Sequence, residues 1–282
     1  MKIMVTGGAG FIGANLIERL VKEGHEVVSL DNYDSGLEEN HIEGVKYENG
    51  DIEMIEYIKG ESFDLCFHLA ALSRIQPSFE NPTETFRVNV RGTEAVMEWA
   101  RHNNVKVVYA GSSSKHHDPA DSPYAMYKFL GEQVCKLYKK SFNVNVEIAR
   151  FYNVYGPFQI SKGQMSTVIG IFEDHFKRKK PLPVVRPGSQ TRRFTHIDDT
   201  ISICILAWQK NLCRHYSIAH KKSYSVIEVA KMFKTKVKFL PKRAGERYAS
   251  ALANKNLSNK IYKYFGKIDL KDYVDAFIKK SN

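Results

Sequence analysis

The segment Thr6-Gly7-Gly8-Ala9-Gly10-Phe11-Ile12-Gly13 constrains this chain more than any other. It follows a short apolar run, Ile3–Thr6, and opens a helix-period segment, Ile12–Lys22, so its glycines mark a strand-to-helix turn. The alternation continues downstream. Glu26–Leu30, Lys46–Glu48, Leu65–Leu69, Lys106–Ala110 and Asn145–Ala149 read as strands, and Pro82–His102 and Tyr124–Phe142 read as helices. Strands joined by helical crossovers require a parallel sheet covered on both faces.

After Tyr155 the regularity fades. Helices are expected over Ser166–Lys179, Asp199–Gln209, Ser225–Phe233 and Leu270–Lys279, with short strands at Tyr216–Ile218 and Lys236–Leu240. The expected fold class is α/β: a Rossmann-type doubly wound parallel sheet with a smaller C-terminal α/β substrate-binding part. The first domain is expected over residues 1–155, with elements of 195–220 returning to it, and residues 156–282 form the second. Charge divides along the same line. Residues 1–150 carry 16 Lys and Arg against 22 Asp and Glu, and the remainder 26 against 9. A basic half points to an anionic partner. Its lysines are scattered rather than interleaved with aromatics, which argues against nucleic acid. Cys66, Cys135, Cys204 and Cys213 have no CxxC spacing, and no third ligand accompanies His116 and His117, so no metal site is expected. Without an apolar stretch of membrane-spanning length or a signal-peptide core, the chain is expected in the cytoplasm and off the membrane.

Two constellations carry chemistry. The first is the glycine turn followed by Asp31, which closes the second expected strand 18 residues after Gly13. Glycines there let the backbone approach a pyrophosphate at a helix N-terminus, and the acid can accept hydrogen bonds from ribose while repelling a 2′-phosphate. NAD is therefore expected rather than NADP. The second is Tyr124-Ala125-Met126-Tyr127-Lys128. The i,i+4 spacing puts phenol and ammonium on one helix face, where the cation favours the phenolate. Gly111-Ser112-Ser113-Ser114 follows the strand Lys106–Ala110, at the carboxyl edge where α/β sheets bind ligands. His116 and His117 read as loop residues pointing apart. His196 beside Asp198 and Asp199 reads as a helix start capped by one of the aspartates.

These motifs resemble the extended short-chain dehydrogenase/reductases, specifically the nucleotide-sugar epimerase and dehydratase branch. The resemblance runs through TGGAGFIG (6–13), DNYDSG (31–36), GDI (50–52), HLAA (68–71), NVRGT (89–93), SPYAMYK (122–128), ARFYNVYGP (149–157), GSQTRRFTHIDD (188–199) and RAGE (243–246). It implies that Tyr124 is the catalytic base, that Lys128 holds the nicotinamide ribose, and that Ser112, with Ser113 beside it, assists proton transfer. It implies a cofactor path along Gly7, Gly10, Phe11, Ile12, Gly13, Asp31, Asn32, Asp51, Ile52, Leu69, Ala70, Ala71, Asn89 and Tyr152. It places the sugar diphosphate against Asn153 and Val168, with Arg192 and Arg243 as phosphate clamps. Small residues at 250–254 lie near where relatives gate the C2 substituent and would admit an N-acetyl group.

The resemblance also bears on the reaction. Related 4,6-dehydratases carry an Asp-Glu pair after the catalytic Ser or Thr, whereas Ser113 and Ser114 stand here. NAD-dependent C4 epimerisation of a UDP-hexose or UDP-N-acetylhexosamine is therefore expected, as in UDP-glucose 4-epimerases, in a homodimer built on the helices at Val90–His102 and Tyr124–Phe142. The alternatives are a reductase, dehydratase or decarboxylase on a similar sugar nucleotide, and a non-catalytic NAD- or nucleic-acid-binding protein. The loop from Ser114 to Tyr124 is shorter than in relatives. Tyr127 and Arg193 stand where they usually carry Ser and Asp.

Overall fold

Strand β1 (Lys2–Thr6) is apolar along most of its length because both of its faces are covered. Successive side chains point to opposite sides. Ile3 and Val5 join one core with Leu16, Ile17 and Leu20, whereas Met4 joins another with Val96 and Met97. The computed structural model describes residues 1–58, 62–212, 215–242 and 261–281. In order, the first elements are α1 (Phe11–Lys22), β2 (Glu26–Asp31), β3 (Lys46–Asn49), β4 (Leu65–His68), α2 (Ile75–Glu80), α3 (Pro82–Phe86), α4 (Gly92–Asn103), β5 (Lys106–Ser112), α5 (Pro123–Phe142) and β6 (Val146–Phe151). The later ones are β7 (Val154–Tyr155), α6 (Val168–Lys177), β8 (Leu182–Val185), β9 (Thr191–Arg192), β10 (Thr195–His196), α7 (Ile197–Lys210) and β11 (His215–His220). After these come β12 (Tyr224–Ser225), α8 (Val226–Met232), β13 (Val237–Leu240), β14 (Ile261–Gly266) and α9 (Leu270–Ser281).

Eight strands form one parallel sheet in the order β3-β2-β1-β4-β5-β6-β11-β14. The chain winds outward from β1 through β2 and β3, then crosses to β4 and winds the other way. The carboxyl ends of β1 and β4 therefore diverge, and a crevice opens at this switch point. Helices α4 and α5 cover one face of the sheet, and α1 and α7 cover the other. Short ladders β7–β10, β9–β12 and β8–β13 build the remaining part, whose own apolar cluster joins Phe172, Leu182, Val184, Val229, Phe233 and Val274. Among the described residues no helix is long and apolar enough to cross a membrane. Cys66, Cys135 and Cys204 are buried free thiols, and Cys213 lies outside the described residues.

Several local details differ from the sequence expectation. The helix expected over Pro82–His102 is divided by a π-turn at Arg87–Arg91. Its first residue, Arg87, pairs with Asp51, Glu53 and Glu84. Helix α7 is capped by His196 rather than by an aspartate. The His196 ring accepts the Asp198 N–H at 3.2 Å. Asp199 is instead committed across space, accepting the backbone N–H groups of Lys267 and Ile268 at 2.9 and 3.1 Å. Strand β14 and helix α2 carry no strong periodic signal. β14 owes its existence to a six-residue register with β11.

A buried ion pair fixes α5 to the sheet. Arg150 on β6 donates twice to the Glu132 carboxylate, at 2.8 and 2.7 Å, and also to His215 Nδ1 at 2.5 Å. Burial and the neighbouring guanidinium hold the His215 pKa down at about 4, so a neutral ring accepts that bond. The register of α5 matters because its first turns carry Tyr124 and Lys128.

Candidate active site

A cleft of about 990 Å³ opens over the carboxyl ends of the central strands. That is near the upper end of the ~300–1,000 Å³ usual for small-molecule sites. The glycine turn forms one wall. Gly7 adopts φ +74, and a Cβ there would stand 2.8 Å from the Ala70 backbone nitrogen. A Cβ on Gly13 would stand 2.1 Å from the Gly7 carbonyl oxygen. Both positions therefore exclude any side chain. Gly10 caps α1 without a side-chain hydrogen bond, which leaves first-turn N–H groups available to an anion.

Asp31 ties this turn to β2. Its Oδ2 accepts the Ala9 N–H and its Oδ1 the Tyr33 N–H, both at 2.9 Å. Burial pushes its carboxyl pKa up, while those backbone bonds pull it back. Asp31 and Asn32 both line the cleft, as do Gly7, Gly10, Phe11, Ile12 and Gly13. A cradle shaped by absent Cβ atoms, an uncapped helix start and a carboxylate at the end of β2 together fit a dinucleotide. Leu69, Ala70 and Ala71 continue the wall after β4, and Ile52 closes it below β3.

Four of the expected contact residues stand off the cleft. The Asp51 carboxylate is occupied by Arg87, at 2.8 and 2.7 Å, and caps the 3₁₀ turn Ile52–Tyr57. Asn89 is buried. Its amide exchanges two bonds with the Leu72 backbone, each 2.9 Å, so it shapes the wall through Leu72. Tyr152 is fully buried, and its hydroxyl meets His116 Nε2 at 2.7 Å. Val168 begins α6 but packs into the third apolar cluster. Thr167 and Ile171, one helical turn apart, present the face that lines the cleft.

The chemical end is built where β5 meets α5. Ser122 caps α5 by accepting the Ala125 N–H at 3.2 Å, and Pro123 fills the first helical position. The Tyr124 N–H is held by Ser78 Oγ at 3.1 Å. With its backbone fixed on both sides, Tyr124 directs its hydroxyl to Ser112 Oγ at 3.2 Å. Ser112 closes β5 and is almost wholly buried, and Ser113 lines the cleft beside it. Lys128 lies one turn further along α5. Its Nζ donates to the Ala110 carbonyl at 3.0 Å and sits 5.0 Å from the Tyr109 ring centre. Burial lowers its pKa to about 8. His68, between Thr6 Oγ1 at 2.8 Å and Thr93 Oγ1 at 3.2 Å, is held neutral by burial and by the Lys128 charge, with its pKa down at about 3.

Asn153 and Arg192 also line the cleft. Arg192 Nη1 donates to its neighbour's carbonyl, Thr191 O, at 2.8 Å. Arg193 turns away and braces the chain through the carbonyls of His220 and Lys221. Arg243 and residues 250–254 lie outside the described residues. Tyr127 packs edge-on against Phe86. His117 lines the cleft, whereas His116 stacks on Tyr152. Arg74 and Thr167 are further wall residues that sequence patterning did not single out. Arg74 offered one signal, a charge placed just beyond the carboxyl end of β4. Among the described residues no cluster of three or more His, Cys, Asp or Glu is placed to hold a metal ion.

Comparison with known proteins agrees with this geometry. The family model described as NAD dependent epimerase/dehydratase family matches residues 3–219. A Methanocaldococcus jannaschii protein provisionally named UDP-glucose 4-epimerase is 30% identical over 301 aligned positions, covering 98% of this chain and 97% of that one. UDP-glucuronic acid decarboxylase 1 of Xenopus tropicalis is 26% identical, covering 83% of this chain and 59% of that protein. The crystal structure of UDP-glucuronic acid 4-epimerase from Bacillus cereus, with UDP-glucuronic acid and NAD, superposes with a TM-score of 0.85. It is 25% identical and covers 99% of each chain. The family match runs from β1 to β11, through the glycine turn, Asp31, Ser112, Tyr124 and Lys128, and the chain thus belongs to the NAD-dependent epimerase/dehydratase family of nucleotide-sugar enzymes.

Proposed function

We propose that the protein epimerises a nucleotide-diphosphate hexose at C4 through a transient 4-keto sugar. The observation that carries this reading is the hydrogen bond from Tyr124 to Ser112, with Lys128 one helical turn behind, on the wall of a cleft that also holds the glycine cradle. Tyr124 takes the proton of the C4 hydroxyl, and Ser112 orients that hydroxyl. The Lys128 charge, desolvated beneath the sheet edge, stabilises the phenolate. NAD, held along Gly7 to Gly13 and Asp31, supplies acceptance and return of hydride. Tyr124 then gives the proton back, so the site ends each cycle as it began. Ser113 and Ser114 are hydroxyls that cannot serve as the acid and base needed to expel water, which favours epimerisation over dehydration. Arg192 pairs with the diphosphate as a guanidinium fork, and Asn153 stands beside it.

We further propose a homodimer through α4 and α5. Leu137 on α5 and Phe142 at its end are about half exposed, apolar surface that such an interface would cover.

The test of the reaction is incubation with UDP-glucose and UDP-N-acetylglucosamine, read by proton NMR and mass spectrometry together. The expected result is an unchanged mass with an inverted C4 signal. Loss of water or carbon dioxide would replace this reading with a dehydratase or a decarboxylase.

A further inference from the structure

Arg74 has no part in the chemistry described so far. It lies beyond β4 on the cleft wall and is half-buried. Its Nε–H donates to the Met165 carbonyl at 3.0 Å, and its Nη1 donates to the Ser73 carbonyl at 3.2 Å. Both acceptors are neutral. Among the described residues no carboxylate is paired with it. A guanidinium partly withdrawn from water without a counter-charge is suited to receive an anion from outside the fold. The two carbonyls hold its plane, so the remaining donors form a fixed fork of the kind that fits a carboxylate.

The neighbours define which part of a ligand Arg74 would meet. Ser78, on the helix that starts one residue after Arg74, accepts the Tyr124 N–H at 3.1 Å, and Arg74 and Tyr124 both line the cleft, so they share one end of it. Ser112 and Ser113 line that end and carry no negative charge. The four carboxylates on the cleft wall are placed or paired otherwise. Asp31 closes β2 and Asp34 follows it. Glu80 accepts from Gln164 at 3.0 Å, and Glu84 pairs with Arg87 at 2.7 Å. Glu80 keeps its charge because Gln164 is neutral, but none of the four accepts a hydrogen bond from Arg74.

We propose that Arg74 selects a sugar nucleotide whose hexose bears a carboxylate, and that the substrate class of this cleft is a nucleotide-linked hexuronate. The inference rests on the C4-epimerase reading, which it narrows. Arg74 is then a specificity-determining residue. It seats the sugar's carboxylate, while Tyr124 and Ser112 act on the C4 hydroxyl.

The experiment measures equilibrium binding of UDP-glucuronate, UDP-glucose and UDP to the NAD-loaded protein, as wild type, Arg74→Gln and Arg74→Lys. Turnover is followed by NMR in parallel. A charge-assisted pair predicts that wild type binds UDP-glucuronate at least ~10-fold more tightly than UDP-glucose. Arg74→Gln should erase that preference and leave UDP-glucose and UDP within about twofold of wild type, and Arg74→Lys should restore part of it. Two outcomes overturn the proposal. One is a wild-type protein with no preference for the carboxylate. The other is a glutamine variant that loses UDP-glucuronate, UDP-glucose and UDP alike, which would assign Arg74 to the diphosphate. A carboxylate preference without C4 inversion of any sugar would sustain the Arg74 inference and remove the epimerase reading. Inversion of UDP-glucose without that preference would do the reverse.

Discussion

Replacing Lys128 with methionine separates the electrostatic role of this ammonium from its place in the packing. In the folded chain, burial takes its pKa from 10.5 to about 8. At pH 7 both folded and unfolded chains carry the charge, and the folded state holds it at a cost of ~3 kcal/mol. As pH rises through 8 the folded chain releases the proton first. The unfolded chain then holds more protons than the folded one, so this residue's contribution to stability increases with pH until the free-lysine value is passed. Methionine removes both the charge and its bond to the Ala110 carbonyl, a change without pH dependence. The unfolding free energy of wild type minus that of Lys128→Met should therefore rise by about 2–3 kcal/mol between pH 7 and pH 10. Urea denaturation of the two proteins side by side, both carrying Tyr124→Phe, measures it, because the phenol that Lys128 acts on is then absent and titrating groups remote from Lys128 cancel in the difference. A flat difference, or one that falls with pH, would show that the ammonium is not desolvated as described and would remove the basis for its action on Tyr124. Turnover of wild type should decline over the same interval, as the charge that supports the phenolate is lost.

Tyr124→Phe should lower turnover by ~10²–10⁴-fold and leave NAD affinity near that of wild type; titration of NAD beside a progress curve separates the two. Gly13→Ala drives a methyl into the Gly7 carbonyl and should cost about 1–3 kcal/mol of stability along with most NAD binding, read by thermal melting with and without NAD. An alanine variant that still gains full stabilisation from NAD would contradict the cradle. Leu137→Asp should convert the expected dimer to monomer in light scattering, and a variant of unchanged mass would move the interface elsewhere.

The residues legible in the sequence were those whose geometry is local. Gly7, Gly13 and Asp31 announce themselves because a strand-turn-helix with a following acid has few other solutions. Tyr124 and Lys128 are neighbours by helix periodicity alone. The residues that stood elsewhere were those whose direction is set by distant partners. Asp51 is turned by Arg87, 36 residues away, and Asn89 by Leu72, 17 residues away. Tyr152 follows a strand and packs against His116, so its sequence neighbours do not reveal which side it faces. Arg74 was missed because a loop carries no period, and its place near Tyr124 follows from Ser78, on the helix that starts one residue after Arg74, holding the Tyr124 N–H.

Asn89 imitates a neighbouring strand. Its carboxamide presents one acceptor and one donor to a single residue, Leu72, just as a paired backbone would. The wall from Leu69 to Arg74 therefore hangs from two places, Leu69 and Ala70 from Thr6 at the end of β1 and Leu72 from the π-turn. Aspartate in that place would keep the acceptor and forfeit the donor, and leucine would forfeit both. Whatever seats itself against Leu72 is thereby coupled to the π-turn of the helical layer as well as to the sheet.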